Sequence, residues 1–435
     1  MRLVRIAAVT ALTAVSQCAA APPALAVSPP SIDSTLLPAA APPAPAQPTV
    51  QRTVCAVPTF DPDRTAAASQ LDSLGLPDVW PLTRGAGQRV AVIDTGVSPH
   101  RRLPRLVGGG DYASTGDGTQ DCDGHGTLVA GIIAAAADPG ADRFSGVAPE
   151  ATVIAIRQSS TKFGPAGDPS RVGVGDVETL AKAVRTAADL GASIINVSAV
   201  ACEPVGSGLD DRALGAALAY AVEVKNAVVV AAAGNTGTDQ PCPAQDARAG
   251  WNDATVAVSP AWYDDYVLTV GSVNADGAPS AFTLAGPWVD VAAPGEAVFS
   301  LSPVGDAMAN KSIFGTSYAA PVVSGLAALI RSRFPAWTPR QVMERIKATA
   351  HHPAHGRDNV VGSGVIDPVA AVSAGAPVAV GTPGSDDAEV PITAPQTPAP
   401  ESGGRRTALT GAALLAALVV VLAGRAISAR SRPRH

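Results

Sequence analysis

Apolar residues along this chain fall into short unbroken runs, separated by stretches rich in Gly, Pro and polar residues. The runs at Val90–Ile93, Thr152–Arg157, Ser193–Val197, Ala227–Ala231 and Tyr266–Val270 are dominated by Val, Ile and Ala. A strand buried on both faces reads this way, apolar throughout and not alternating. Between these runs lie helical stretches, among them Val177–Leu190 and Leu209–Val224. Strands alternating with helices predict an α/β fold, a mostly parallel sheet with helices on both faces. Two further stretches, Leu128–Ala137 and Ala319–Ile330, are rich in helix formers. The second meets no charge until Arg331, which predicts a helix buried nearly all round.

The ends of the chain break this pattern. Residues 1–26 open with Met1-Arg2-Leu3-Val4-Arg5, continue as an apolar run from Ile6 to Val15, and close on Ala24-Leu25-Ala26. That three-part order predicts a cleaved secretory signal peptide. Residues 27–70 form a Pro/Ala-rich N-terminal arm, without periodicity as far as about residue 58. The main folded domain is expected over 71–375, interrupted by a surface loop over the Gly/Ser/Pro-rich stretch Gln158–Asp176. A Pro-rich acidic linker follows over 376–406. Residues 407–424 carry no charge and, at about 1.5 Å per residue, are just long enough for a transmembrane helix. A buried C-terminal helix is the competing reading. Arg425, Arg430, Arg432 and Arg434 place the positive excess after that span, so 425–435 is expected to be cytoplasmic and the main domain extracytoplasmic.

Three short segments hold the candidate chemistry: Val92-Ile93-Asp94-Thr95-Gly96, Asp123-Gly124-His125-Gly126-Thr127 and Gly315-Thr316-Ser317-Tyr318-Ala319-Ala320-Pro321. Asp94 ends a predicted buried strand, where open α/β sheets build their sites. His125 and Ser317 each stand just before a predicted helix. An Asp, a His and a Ser are the inventory for acyl transfer, with Ser317 as nucleophile, His125 as proton carrier and Asp94 fixing the imidazole. Taken singly, each segment also reads as a turn, a loop or a helix cap; three together in this order point to catalysis. The order Asp…His…Ser is the subtilisin order.

All three segments closely resemble the subtilisin family signatures, and the resemblance covers about Leu74 to Ala371. It implies a subtilisin-like serine endopeptidase acting on protein or peptide substrates. It also implies a role for Asn235, which ends the strand-like run Ala227–Ala233 followed by Gly234: its side-chain amide donates to the oxyanion. Substrate contacts are expected from Ser198, Ala199, Val200, Ala233 and Gly234. Where relatives continue with Gly after Ile194-Ile195-Asn196-Val197-Ser198, this chain has Ala199-Val200-Ala201-Cys202. Side chains there predict a narrower cleft and a selective enzyme. The whole arrangement resembles the mycosins, membrane-anchored proteases associated with type VII secretion. That likeness implies a secretion complex as a further partner, and a scaffold role with proteolysis secondary as the alternative function.

Four cysteines remain outside the signal peptide: Cys55, Cys122, Cys202 and Cys242. In an exported protein they predict two disulfides, with Cys55–Cys122 and Cys202–Cys242 favoured. A zinc site is the rival use, but no CxxC or His spacing supports it. No acidic cluster of calcium-ligand type is evident, so no metal or other cofactor is expected. A net charge of −6 without a basic stripe argues against nucleic acid as a partner. If Cys55 pairs with Cys122, the arm stays with the mature enzyme and is not a removable inhibitor.

Overall fold

The computed structural model describes residues 27–61, 69–238, 240–311 and 313–373. All lie in a first unit that ends at Val380; a second, Gly381–His435, falls outside the described residues. The expected signal peptide (1–26), linker (376–406), span (407–424) and tail (425–435) also lie outside them. Among the described residues no helix is long and apolar enough to cross a membrane.

The main sheet has seven strands: β1 (Arg89–Asp94), β2 (Leu106–Asp111), β3 (Thr152–Arg157), β4 (Ile194–Val197), β5 (Val228–Ala232), β6 (Val267–Val273) and β7 (Val291–Pro294). Their order is β7-β6-β5-β4-β1-β3-β2, and every pairing is parallel. The chain winds to one side of β1 through β2 and β3, and to the other through β4 to β7. The carboxyl end of β1 therefore faces the crevice where the strand order reverses, the usual place for a site in such sheets.

Five helices concern the site and its support: α1 (His125–Ala134), α2 (Val177–Asp189), α3 (Arg212–Ala219), α4 (Thr316–Arg333) and α5 (Pro339–Thr349). Side chains alternate across the sheet, as the pleat requires. Val90 and Val92 of β1, with Ile194, Val228 and Val230, join the core that holds α1 and α4. Ala91 and Ile93, with Ile195, Val197 and Val229, join the core that holds α2 and α3. Both faces of β1 are thus apolar, which is why its sequence lacks alternation. Every residue of α4 from Thr316 to Arg331 is buried, in keeping with its uncharged sequence.

Several local expectations change. The helix expected over Leu209–Val224 begins at Arg212, behind Asp211, and its last turn, Tyr220–Val224, is π-helical. The helix expected to run to Ala137 stops at Ala134. The loop over 158–176 carries a short strand, Phe163–Pro165, that pairs antiparallel with Thr49–Gln51 of the arm. The arm is therefore not irregular throughout. It is held by this ladder, by Thr49 Oγ1 donating to the Ala113 carbonyl, and by the Cys55–Cys122 disulfide. The second disulfide joins Cys202 to Cys242, so both pairs are those favoured from the sequence.

Candidate active site

Asp94, His125 and Ser317 come from three distant elements and meet at the carboxyl end of β1. Asp94 is that strand's last residue and is 2% exposed. His125 is the first residue of α1, behind Gly124 in a left-handed conformation. Its Nδ1 lies 2.8 and 3.0 Å from the two carboxylate oxygens of Asp94. Its Nε2 lies 2.9 Å from Ser317 Oγ, in the first turn of α4. A proton on Nδ1 is held by Asp94, which leaves Nε2 as the acceptor facing the hydroxyl. Burial pulls the His125 pKa down, but the charge of Asp94 and its hydrogen bond outweigh burial. With smaller contributions from Asp121 and Asp123, they raise it above the ordinary 6.5. Asp94 is itself fixed, one oxygen accepting from Thr95 N at 2.7 Å.

The position of Ser317 depends on a proline. Pro321 lies inside α4 and has no N–H, so the carbonyl of Ser317, four residues earlier, loses its helical donor. Ser198 Oγ supplies the missing bond at 2.9 Å. Asn196 Nδ2 donates to Ser198 Oγ at 2.9 Å, and Ser324 Oγ donates to Asn196 Oδ1 at 2.8 Å. This buried chain ties the backbone of the nucleophile to β4. The hydroxyl of Ser198 is thereby engaged with Ser317.

Asn235 sits beside the same helix start. Its Oδ1 accepts from Thr316 N at 2.9 Å and from Thr316 Oγ1 at 3.0 Å. The carbonyl end of the amide is thereby committed, which leaves Nδ2 as the free donor. A Cβ placed on Gly315 would stand 3.1 Å from Ser317 Oγ and 3.4 Å from Asn235 Nδ2. Nucleophile and amide donor thus flank one small space, and Gly315, at φ +152°, keeps it open. Gly234 is spent on structure: its N–H donates to Thr316 Oγ1 and its carbonyl accepts from Leu284 N. At φ +101°, a side chain there would meet Cys242 Sγ at 2.9 Å. Ala233 is fully buried, with its N–H on the Val270 carbonyl. Ala233 and Gly234 therefore set the place of Asn235. Ala199 and Val200 are half-buried, and Val200 packs against both cores. Next in the chain, Ala201–Pro204 pairs antiparallel with Val256–Ser259, so the segment after this wall is held in a two-stranded ladder. Asn235→Ala should lower kcat by about 10²–10³ with little change in KM, as loss of one oxyanion donor does; steady-state kinetics on a small peptide amide check this.

One organising residue was not expected from the sequence. Asp121 is buried and accepts four hydrogen bonds: from Thr95 Oγ1 (2.8 Å), Gly124 N (2.7 Å), Thr127 N (2.8 Å) and Thr127 Oγ1 (2.7 Å). It joins the Asp94 strand end to the His125 turn. Burial pushes its pKa up to about 6 despite the donors. Its only sequence signal is its place four residues before His125.

An activated serine at the crevice of a seven-stranded parallel sheet, with the Asp–His–Ser order, defines a subtilisin-like serine endopeptidase. The comparisons agree. The subtilase family model matches residues 85–364. Mycosin-4 of Mycobacterium tuberculosis is 60% identical over 99% of this chain and 97% of its own length. The solved structure of the MycP3 protease from the type VII (ESX-3) secretion system is 45% identical, with a TM-score of 0.75. The match covers 80% of this chain and 100% of that one. A chain in the periplasmic assembly of the ESX-5 inner membrane complex is 42% identical, also with a TM-score of 0.75; 86% of this chain and all of that one are covered. The chain belongs to the subtilase family and, within it, to the mycosins.

Proposed function

We propose that this endopeptidase processes exported proteins as a membrane-anchored member of a type VII secretion complex. The observation that carries the chemistry is the unbroken hydrogen-bond chain from Asp94 through His125 to Ser317. In this reading Ser317 Oγ attacks the scissile carbonyl while His125 Nε2 takes its proton. The carbonyl oxygen becomes an oxyanion beside Asn235 Nδ2 and the amino end of α4, where N–H groups and the helix dipole favour negative charge. The imidazolium, steadied by Asp94, returns the proton to the leaving amine. Water then hydrolyses the acyl-serine by the same steps in reverse. No metal or other cofactor enters any step.

The wall formed by Ala199 and Val200, with side chains where relatives carry Gly, supports a selective and not a digestive enzyme. The uncharged stretch 407–424 and the basic residues after it support a single span with the catalytic domain, about 71–375, outside the membrane. Assembly with a secretion complex is supported by the likeness to a chain of the ESX-5 inner membrane complex. That likeness also favours a second, scaffolding role. Expression of the full chain beside a version ending at Gly375 tests both. The full chain should stay in the membrane fraction after a salt wash and co-purify with the complex in detergent; the short version should be released. Release of both forms would refute the anchor. A retained full chain free of the complex would refute the assembly role.

A further inference from the structure

The residue that follows Ala24-Leu25-Ala26 is buried. Val27 is 3% exposed and belongs to the core behind α2 and α3. Its N–H donates to the Trp251 carbonyl at 2.7 Å. Residues 27–32 form one wall of a groove of about 450 Å³. The facing wall is made of four aromatic rings, Trp251, Trp262, Tyr263 and Tyr266, and two carboxylates, Asp264 and Asp265. Among the described residues no Lys, Arg or His lines it, although Asp264 also borders an adjoining groove that holds Lys347, His352 and Arg357. Two of the rings are locked in place, because Trp262 Nε1 and the Tyr263 hydroxyl each donate to buried Asp211 at 2.8 Å. Aromatic side chains with flanking carboxylates are the chemistry that selects an organic cation.

We propose that this groove is the binding site for the chain's own processed N-terminus: the α-ammonium of Val27, created when the signal peptide is removed. The proposal rests on the reading of residues 1–26 as a cleaved signal ending at Ala24-Leu25-Ala26. Water splits the Ala26–Val27 peptide bond; Ala26 leaves as a carboxylate and Val27 gains a protonated amine. That amine keeps the bond to the Trp251 carbonyl and brings two further N–H donors and a positive charge into an aromatic, acidic groove. Other charges bear on this groove: burial raises the pKa of Asp264, while Lys347 and Arg357 lower it. Arg340 stacks 5.4 Å from the Tyr266 ring centre and bonds Glu223. Lys347, in the adjoining groove with Arg357, is held by Glu344 and Asp290. Export would thus complete the packing of the arm, so that only the processed chain reaches full stability.

The sign with pH follows. An α-amino group ordinarily titrates near 7.7–8.0. A cation held by carboxylates and rings has its pKa raised, so its stabilising effect is present below about pH 8 and is lost as pH rises through the raised value. The test uses the full exported chain in detergent, in three forms: native, with one Gly inserted after Ala26, and Asp264→Asn with Asp265→Asn. Edman sequencing first identifies the amino end. At near-neutral pH the native form should melt about 2–4 °C above the Gly form, and the gap should close at alkaline pH. The native α-amine should also react with an amine-acylating reagent about tenfold more slowly than the Gly form, as a rise of one pKa unit predicts. The double Asn variant should lose both differences. A first residue other than Val27 would refute the cleavage reading. A Val27 start with equal reactivity in all three forms would overturn the docking site alone.

Discussion

Replacing Ser317 with Ala should lower kcat on a peptide amide by about 10⁶ while leaving the fold intact. The residue is 9% exposed, and its hydroxyl hydrogen-bonds the His125 ring. Its backbone is held independently, through Ser198 on its carbonyl and the first turn of α4. Removing one hydroxyl from a helix start leaves no cavity of consequence, so the melting temperature should stay within about 2 °C. Turnover and thermal melting of the purified chain, measured side by side, separate the two effects. Retained turnover would end the assignment of Ser317 as nucleophile. A collapse of the melting temperature would show that the hydroxyl is structural. The same variant, expressed in a strain lacking the native chain, divides the two roles proposed above. Export restored by an inactive enzyme would make scaffolding the dominant one.

The parts of the site that the sequence displayed are those carried by local pattern. β1 and β3 end where their apolar runs end, and Asp94 stands at the close of the first. His125 and Ser317 each open a helix of uncharged residues. What local pattern hid is non-local. β2 was hidden because Gly108-Gly109-Gly110 carries no strand signal; it exists by pairing with β3, and a side chain on Gly109 would strike Ile154 at 2.6 Å. The ladder between Thr49–Gln51 and Phe163–Pro165 joins segments more than a hundred residues apart. Ser198 was expected at the cleft through the family resemblance. Only the proline at 321, far along the chain, explains why its hydroxyl turns inward to the Ser317 carbonyl. Asp121 was hidden for a similar reason: each of its four donors is a short polar group that also reads as part of a turn.

Replacing Asp94 with Asn should reduce kcat by about 10⁴, and it should also move the pH profile in a stated direction. In the native chain the His125 pKa lies above 6.5, because the Asp94 charge and hydrogen bond outweigh burial. The imidazole must be neutral to accept the Ser317 proton. Activity therefore rises with pH through the raised His125 value, and the acid limb of kcat/KM should fall above 6.5. Asn keeps the shape but removes the charge. Burial, which disfavours the imidazolium, then loses its main opponent; Asp121 and Asp123 remain as weaker ones. The acid limb should shift to lower pH even as the plateau collapses. The amide also offers a donor where the carboxylate offered only acceptors, so it disfavours the tautomer that carries its proton on Nδ1 and leaves Nε2 free for the hydroxyl. Initial rates measured across the acid and neutral range for both chains, with melting curves to confirm folding, decide the matter. A lower plateau with the limb unmoved would mean that Asp94 orients the ring without setting its charge. A limb moved to higher pH would refute the electrostatic account of the His125 pKa.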